Sequence, residues 1–159
     1  MKPVAYVETS VISYLVSQPS RDLVTAARQQ LTREWWSTRR SDYHLVASPL
    51  VLLEAERGDR AAADRRLAAL QSLELLALTE KARSLTSALL LARALPEAAA
   101  DDALHIALAA AHGADVVLTW NFKHIANPFT WPAIWSVVEA EGCNAPTLCT
   151  PEQLLEDGL

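Results

Sequence analysis

Short apolar runs alternate along this chain with longer segments of helical spacing, and that alternation restricts the fold more than any other feature. Val4–Val7, His44–Ala47, residues 116–119 and Thr147–Cys149 read as strands, and residues 73–78 as a strand or, leucine being no strand specialist, a helix. They lack the in/out polarity of a sheet with one wet face, so they suit strands buried on both sides. Between them lie stretches with helical signals. Thr9 or Ser10 can cap a helix through about Tyr14, and Pro19-Ser20 introduces an amphipathic stretch over residues 21–40 that ends in Trp35 and Trp36. Ser48-Pro49 supplies an N-cap and a first-turn proline, and Gly58 stops that helix. Further helices are expected over residues 60–71, from Thr79 or Ser84 to Arg93, over 98–112 closed by Gly113, over 132–141, and from Pro151. Strand and helix in alternation imply βαβ units, hence a parallel sheet with helices on both faces.

No repeat, low-complexity tract or linker divides the 159 residues, so one domain over 1–159 is expected. With 51% apolar and 21% charged residues, the chain can bury a core, which excludes a disordered or collagen-like protein. Cys143 and Cys149 make neither a disulfide framework nor a CxxC zinc pattern, and a reducing compartment suits them. No apolar run approaches the roughly 20 residues needed to span a bilayer, and Met1-Lys2-Pro3 does not lead into a secretory h-region. A cytoplasmic protein without a membrane partner is therefore expected.

Charge is uneven. Residues 1–100 carry 13 basic and 11 acidic groups, residues 101–159 one and eight. A generally basic nucleic-acid binder is disfavoured, although Arg21, Arg28, Arg33, Arg39 and Arg40 in the 21–40 stretch leave either a local basic surface or a solvated helix face.

Parallel sheets bind ligands beyond the carboxyl ends of their strands. Glu8 follows the first strand, Thr119-Trp120-Asn121 follow the fourth, Glu54 lies in the helix after the second, and Asp102 opens the helix before the fourth. Carboxylates gathered at one rim repel one another unless a cation neutralises them, and hard divalent ions take oxygen ligands of this kind, so Mg2+ or Mn2+ is the natural cofactor. Each residue taken singly also has an ordinary reading: Glu8 as a solvated strand-end acid, Glu54 as a helix-surface acid, Asp101 and Asp102 as complements to a helix dipole. Glu54 and Glu56 point to different sides of their helix, so only one can serve. His105 shares a helix face with Asp102 but suits packing or hydrogen bonding better than ligation in a carboxylate site. Thr9, Ser10 and Thr119 can cap, orient, or hold metal-bound waters. Trp35 and Trp36 read as anchors within the subunit or between subunits.

Other chemistries lack their signatures. The four glycines form neither GxGxxG nor GxxxxGK, and there is no GxSxG elbow. Water activated by a metal is what remains.

Four ordered segments, Tyr6-Val-Glu-Thr-Ser-Val-Ile-Ser-Tyr-Leu15, Glu54-Ala-Glu-Arg-Gly58, Asp102-Ala-Leu-His-Ile-Ala107 and Leu118-Thr-Trp-Asn-Phe-Lys-His-Ile-Ala-Asn127, together resemble a PIN-domain protein of the VapC toxin type. The resemblance implies an α/β fold, a three-layer α/β/α sandwich with a central parallel sheet of four to five strands. It implies a metal-dependent endoribonuclease in which acidic residues hold Mg2+ or Mn2+, with Glu8, Glu54 and Asp102 as metal ligands and Asn121 completing the catalytic set. The E-x-x-x-G element selects Glu54 over Glu56, and D-A-x-x-I-A selects Asp102 over Asp101. Two positions depart from the pattern: Glu8 stands where the first acid is most often Asp, and Asn121 stands at the fourth acidic position. The resemblance further implies an RNA substrate, a cognate antitoxin protein and a homodimer. A PIN-like binding scaffold with little nuclease activity and a housekeeping RNA-processing nuclease are the alternative readings.

Overall fold

The computed structural model describes residues 1–156. Five strands, β1 (Val4–Val7), β2 (His44–Ala47), β3 (Glu74–Leu75), β4 (Val116–Leu118) and β5 (Thr147–Cys149), form one sheet in the order β3-β2-β1-β4-β5, and every neighbouring pair is parallel. The expected sandwich with a parallel sheet is thus found. Among the described residues eight α-helices flank the sheet: α1 (Thr9–Val16), α2 (Leu23–Thr38), α3 (Pro49–Ala55), α4 (Arg60–Leu70), α5 (Glu80–Leu91), α6 (Ala100–Ala111), α7 (Trp131–Ala140) and α8 (Pro151–Leu155).

Strand order decides where a ligand can enter. From β1 the chain steps through β2 to the edge at β3, then returns past β1 to place β4 and β5 on its other side. The right-handed crossover preference puts the outgoing and returning helices on opposite faces. The packing agrees, with α1, α2, α3 and α4 in contact with one another and α5 in contact with α6 and α7. The reversal lies between β1 and β4, and at such a switch point a crevice opens beyond the carboxyl ends of the two strands. Val7 stands opposite Leu118 there, and Glu8 N–H still donates to the Leu118 carbonyl at 3.0 Å.

Local signals account for most boundaries. Asp22, Ser48, Asp59 and Thr79 cap α2, α3, α4 and α5 through their side chains, each satisfying an N–H that the helix itself leaves free. Two expectations need correction. The cap of α1 is neither Thr9 nor Ser10 but Glu8, whose carboxylate accepts the Ser10 N–H at 3.0 Å. The third strand is not residues 73–78 but Glu74–Leu75 alone, at the sheet edge, where only Val46 and Ala47 are opposite; Leu73 and Leu76 turn into the core on either side. Smaller shifts occur elsewhere: α3 stops at Ala55, and Gly58, at φ +84°, shapes the turn that follows rather than ending the helix.

The core is continuous across the sheet. Ala5, Tyr6, Val7, Val117 and Leu118 are wholly buried, and Ala103, Ala107 and Ala109 on α6 let that helix lie close beneath the strands. Trp35 is fully buried against Trp36 and Tyr43, which places it inside the subunit. Both cysteines are buried and free. No helix among the described residues is long and apolar enough to cross a membrane.

Candidate metal centre

Glu8 is carried to the crevice by β1, and although 94% of its surface is removed from solvent its carboxylate is fully served. Ser10 Oγ donates to Oε1 at 2.5 Å, Thr119 Oγ1 donates to the same oxygen at 2.6 Å, and the Ser10 N–H donates to Oε2 at 3.0 Å. Three such donors replace the water that burial takes from this carboxylate. One side chain thereby starts α1 and joins β1 to the end of β4.

Glu54 comes from α3. Its Oε1 accepts from Thr9 Oγ1 at 2.6 Å and from His105 Nε2 at 2.6 Å, while Oε2 takes no hydrogen bond from the described residues. Burial alone raises the Glu54 carboxyl, but the hydrogen bond and positive field of His105, the Thr9 hydroxyl and the more distant Arg57 outweigh it and hold the group below the ordinary carboxylate range. Its neighbour Glu56 is exposed at the end of α3, on another side of the helix.

His105 is completely buried. Its Nδ1 meets the Tyr6 hydroxyl at 2.7 Å, and that hydroxyl meets Ser48 Oγ at 2.7 Å. Ser48 Oγ accepts the Val51 N–H as the cap of α3, so its proton is free for Tyr6. The neutral state then runs in one direction: Ser48 donates to Tyr6, Tyr6 to Nδ1, and Nε2–H to Glu54. Burial drives the His105 pKa down, but the hydrogen bond to Glu54 and the fields of Glu8, Glu54 and Asp102 more than reverse this and raise it. A hydrogen-bonding role, expected from the sequence, is therefore what the ring performs.

One oxygen of Glu8, one of Glu54 and a ring nitrogen of His105 all lie within 4.8 Å of one another. Asp102, in the first turn of α6, stands outside that tight group yet close enough for its charge to act on His105. Asp102 Oδ2 pairs instead with His124 Nδ1 at 2.8 Å, both side chains about four-fifths buried. Asn121 begins the loop after β4. Its N–H donates to Thr119 Oγ1 at 2.9 Å, and its Oδ1 accepts the His124 N–H at 3.0 Å, which holds His124 over Asp102.

Two carboxylates, Glu8 and Glu54, meet in one crevice, and Oε2 of Glu54 is left without a hydrogen bond from the described residues. Both nitrogens of His105 are engaged in hydrogen bonds, one of them to Glu54 itself. Carboxylate oxygen fits a hard divalent cation. Residues 5–126 match the PIN domain. The chain belongs to the PIN domain family. PIN domains are typically metal-dependent nucleases, and the cluster of Glu8, Glu54 and His105 could hold a metal ion. Comparison with curated proteins gives no match.

Of the capping, orienting and water-holding roles that the sequence leaves open for Thr9, Ser10 and Thr119, the hydrogen bonds show orienting, since each donates to one of the two clustered acids. Sequence reasoning missed Tyr6 and Ser48, whose polarity is hidden among strand and cap residues, and it passed over His124. The signal for Tyr6 was available: a phenol in a strand buried on both faces requires a partner.

Proposed function

We propose that this PIN domain is a Mg2+- or Mn2+-dependent endoribonuclease, the toxin of a type II toxin-antitoxin pair, with Glu8, Glu54 and Asp102 as the metal-binding residues. The observation that carries the reading is the meeting of Glu8 and Glu54, 46 positions apart in the chain, at the β1/β4 switch point with Asp102 beside them. A bound ion supplies a water of lowered pKa and stabilises charge on the phosphodiester. The chain's own residues do the rest. Ser10 and Thr119 fix the Glu8 carboxylate, Thr9 and His105 fix Glu54, and His124 fixes Asp102. Asn121, with its amide nitrogen directed to no described partner, orients a water beside the scissile phosphate. Single-stranded or looped RNA reaches such a crevice more readily than an A-form duplex. A homodimer and an antitoxin whose segment blocks the crevice belong to the same reading, as does a cytoplasmic location.

Purified protein is expected to cleave RNA with Mn2+ or Mg2+ and to stop on chelation; Glu54→Gln and Asp102→Asn are each expected to reduce cleavage to background. Cleavage surviving both substitutions would assign the activity to another site. Anomalous scattering from a manganese-soaked crystal should place an ion among Glu8, Glu54 and Asp102.

One observation favours a scaffold with little nuclease activity: the fourth acidic position is Asn121, which adds no charge and whose Oδ1 already caps a turn. No metal-dependent cleavage by protein that binds a partner would favour that reading. A housekeeping nuclease would share the chemistry and lack a neighbouring antitoxin gene.

A further inference from the structure

Beside the acidic crevice, on the face where α2 meets the loop after β4, runs a groove lined by Leu23, Val24, Arg28, Leu31, Trp120 and Phe122. Its residues neighbour those of the crevice: the Ser10 hydroxyl that donates to Glu8 also accepts the Trp120 N–H at 2.9 Å, and Phe122 follows Asn121. Trp120 forms the buried floor, fixed by its indole N–H on Thr32 Oγ1 at 2.8 Å and by Tyr14 edge-on at 6.1 Å. Phe122 stands up from that floor, 44% exposed.

Arg28 distinguishes this groove from an ordinary apolar patch. Its guanidinium lies 4.8 Å from the centre of the Phe122 ring and 5.8 Å from that of Trp120. Arg33, Arg65 and Arg66 all donate to backbone carbonyls. The Arg28 guanidinium, by contrast, makes no hydrogen bond or ion pair with the described residues, and Glu152 at the groove's edge is not paired with it. It is a half-buried cation over two rings, and its charge acts on the Asp22 carboxylate at the start of α2. A planar cation stacked on an exposed ring suits a ligand with both a π-face and an anionic oxygen.

We propose that this groove is a nucleotide subsite: Phe122 stacks a base of single-stranded RNA next to the scissile position, and Arg28 binds the adjoining phosphate. The proposal rests on the ribonuclease reading and names how its substrate is held.

The test is binding of a short fluorescent single-stranded oligoribonucleotide by the full chain carrying Glu54→Gln, which removes cleavage. Adding Phe122→Ala should weaken binding roughly tenfold, and Phe122→Trp should restore it. Adding Arg28→Gln should weaken binding and make the slope of log affinity against log salt shallower by roughly one. Thermal melts of each variant check folding. Unchanged affinity in both Phe122→Ala and Arg28→Gln overturns the proposal. So does a result in which Phe122→Ala alters self-association and leaves RNA binding untouched, since the groove would then be a protein interface. If wild-type protein cleaves with Mn2+ while the groove variants bind normally, only the subsite fails. If it binds RNA through the groove and never cleaves, only the nuclease reading fails.

Discussion

His105 Nε2 lies 2.6 Å from Glu54 Oε1, and the other nitrogen of the same ring lies 2.7 Å from the Tyr6 hydroxyl. A side chain wholly inside the core thus sets the direction of a carboxylate at its edge. With Thr9 on the same oxygen, Oε1 of Glu54 is held by two donors while Oε2 takes no hydrogen bond from the described residues. Groups that orient a ligand without touching the ion govern affinity as well as geometry.

Tyr6→Phe tests that influence with the loss of one oxygen atom. The ring still fills its place in β1, but Nδ1 of His105 loses its proton donor and Ser48 its acceptor. Mn2+ affinity measured by calorimetry is expected to fall about tenfold or more, and the nitrogen chemical shifts of His105 in the metal-free protein should report a changed tautomer balance. Equal affinity and unchanged shifts would show that the buried chain only fills space.

The same pair gives the metal-free protein a pH signature. His105 is raised in the folded state, so its contribution to stability is complete below the ordinary histidine value of about 6.5 and is lost as pH rises through the higher folded value. Glu54 is lowered, so its contribution is present above its ordinary value of about 4.3 and is lost as pH falls through the lower folded value. The pair therefore helps most between about pH 4.5 and 6.5. Melting temperatures of wild type and His105→Gln, taken in EDTA, should differ more at pH 6 than at pH 9. A difference independent of pH would mean that the histidine acts only by packing.

Why some of this was legible in the sequence and some was not follows from the range of the interactions. The start of α3 is written locally, in Ser48 and Pro49, and the turn after α6 in Gly113 at φ +72°. The ends of β1 and β2 follow from runs of apolar residues. The brevity of β3 does not, because leucines at 73, 75, 76 and 78 carry no sign of which pair with Ala47 and its neighbours and which enter the core. Glu8 was legible as an acid at a strand end. Its capping of α1 was hidden behind Thr9 and Ser10, better caps by type, because both hydroxyls are drawn to the acids of the crevice. The pairing of Asp102 with His124 spans 22 residues and depends on the Asn121 turn, which no periodicity encodes.

Cys149 at the end of β5 should be chemically silent in the folded protein. Burial pushes its thiol up to about 12, which leaves at pH 8 on the order of a thousandfold less thiolate than an ordinary cysteine. Reaction with a disulfide reagent at pH 8 is expected to be slow in native protein and complete on unfolding in guanidinium. Rapid labelling of Cys149 in the native state would show that the strand edge opens to solvent.

Thr32 on α2 links the subunit's interior to the loop that carries Asn121. Its hydroxyl donates to the Arg28 carbonyl at 2.6 Å and accepts the Trp120 indole N–H at 2.8 Å, with no surface exposed. Thr32→Val keeps the shape and removes the acceptor, which leaves a buried indole donor without a partner. Such a donor costs about 1 to 3 kcal/mol. The Arg28 carbonyl keeps its helical bond, so the loss should fall on Trp120. Urea unfolding should show a lower midpoint with an unchanged slope, because the surface exposed on unfolding is the same. A midpoint matching wild type would mean that water or a rotated indole replaces the hydroxyl, and that the floor beside the crevice is held by ring packing alone.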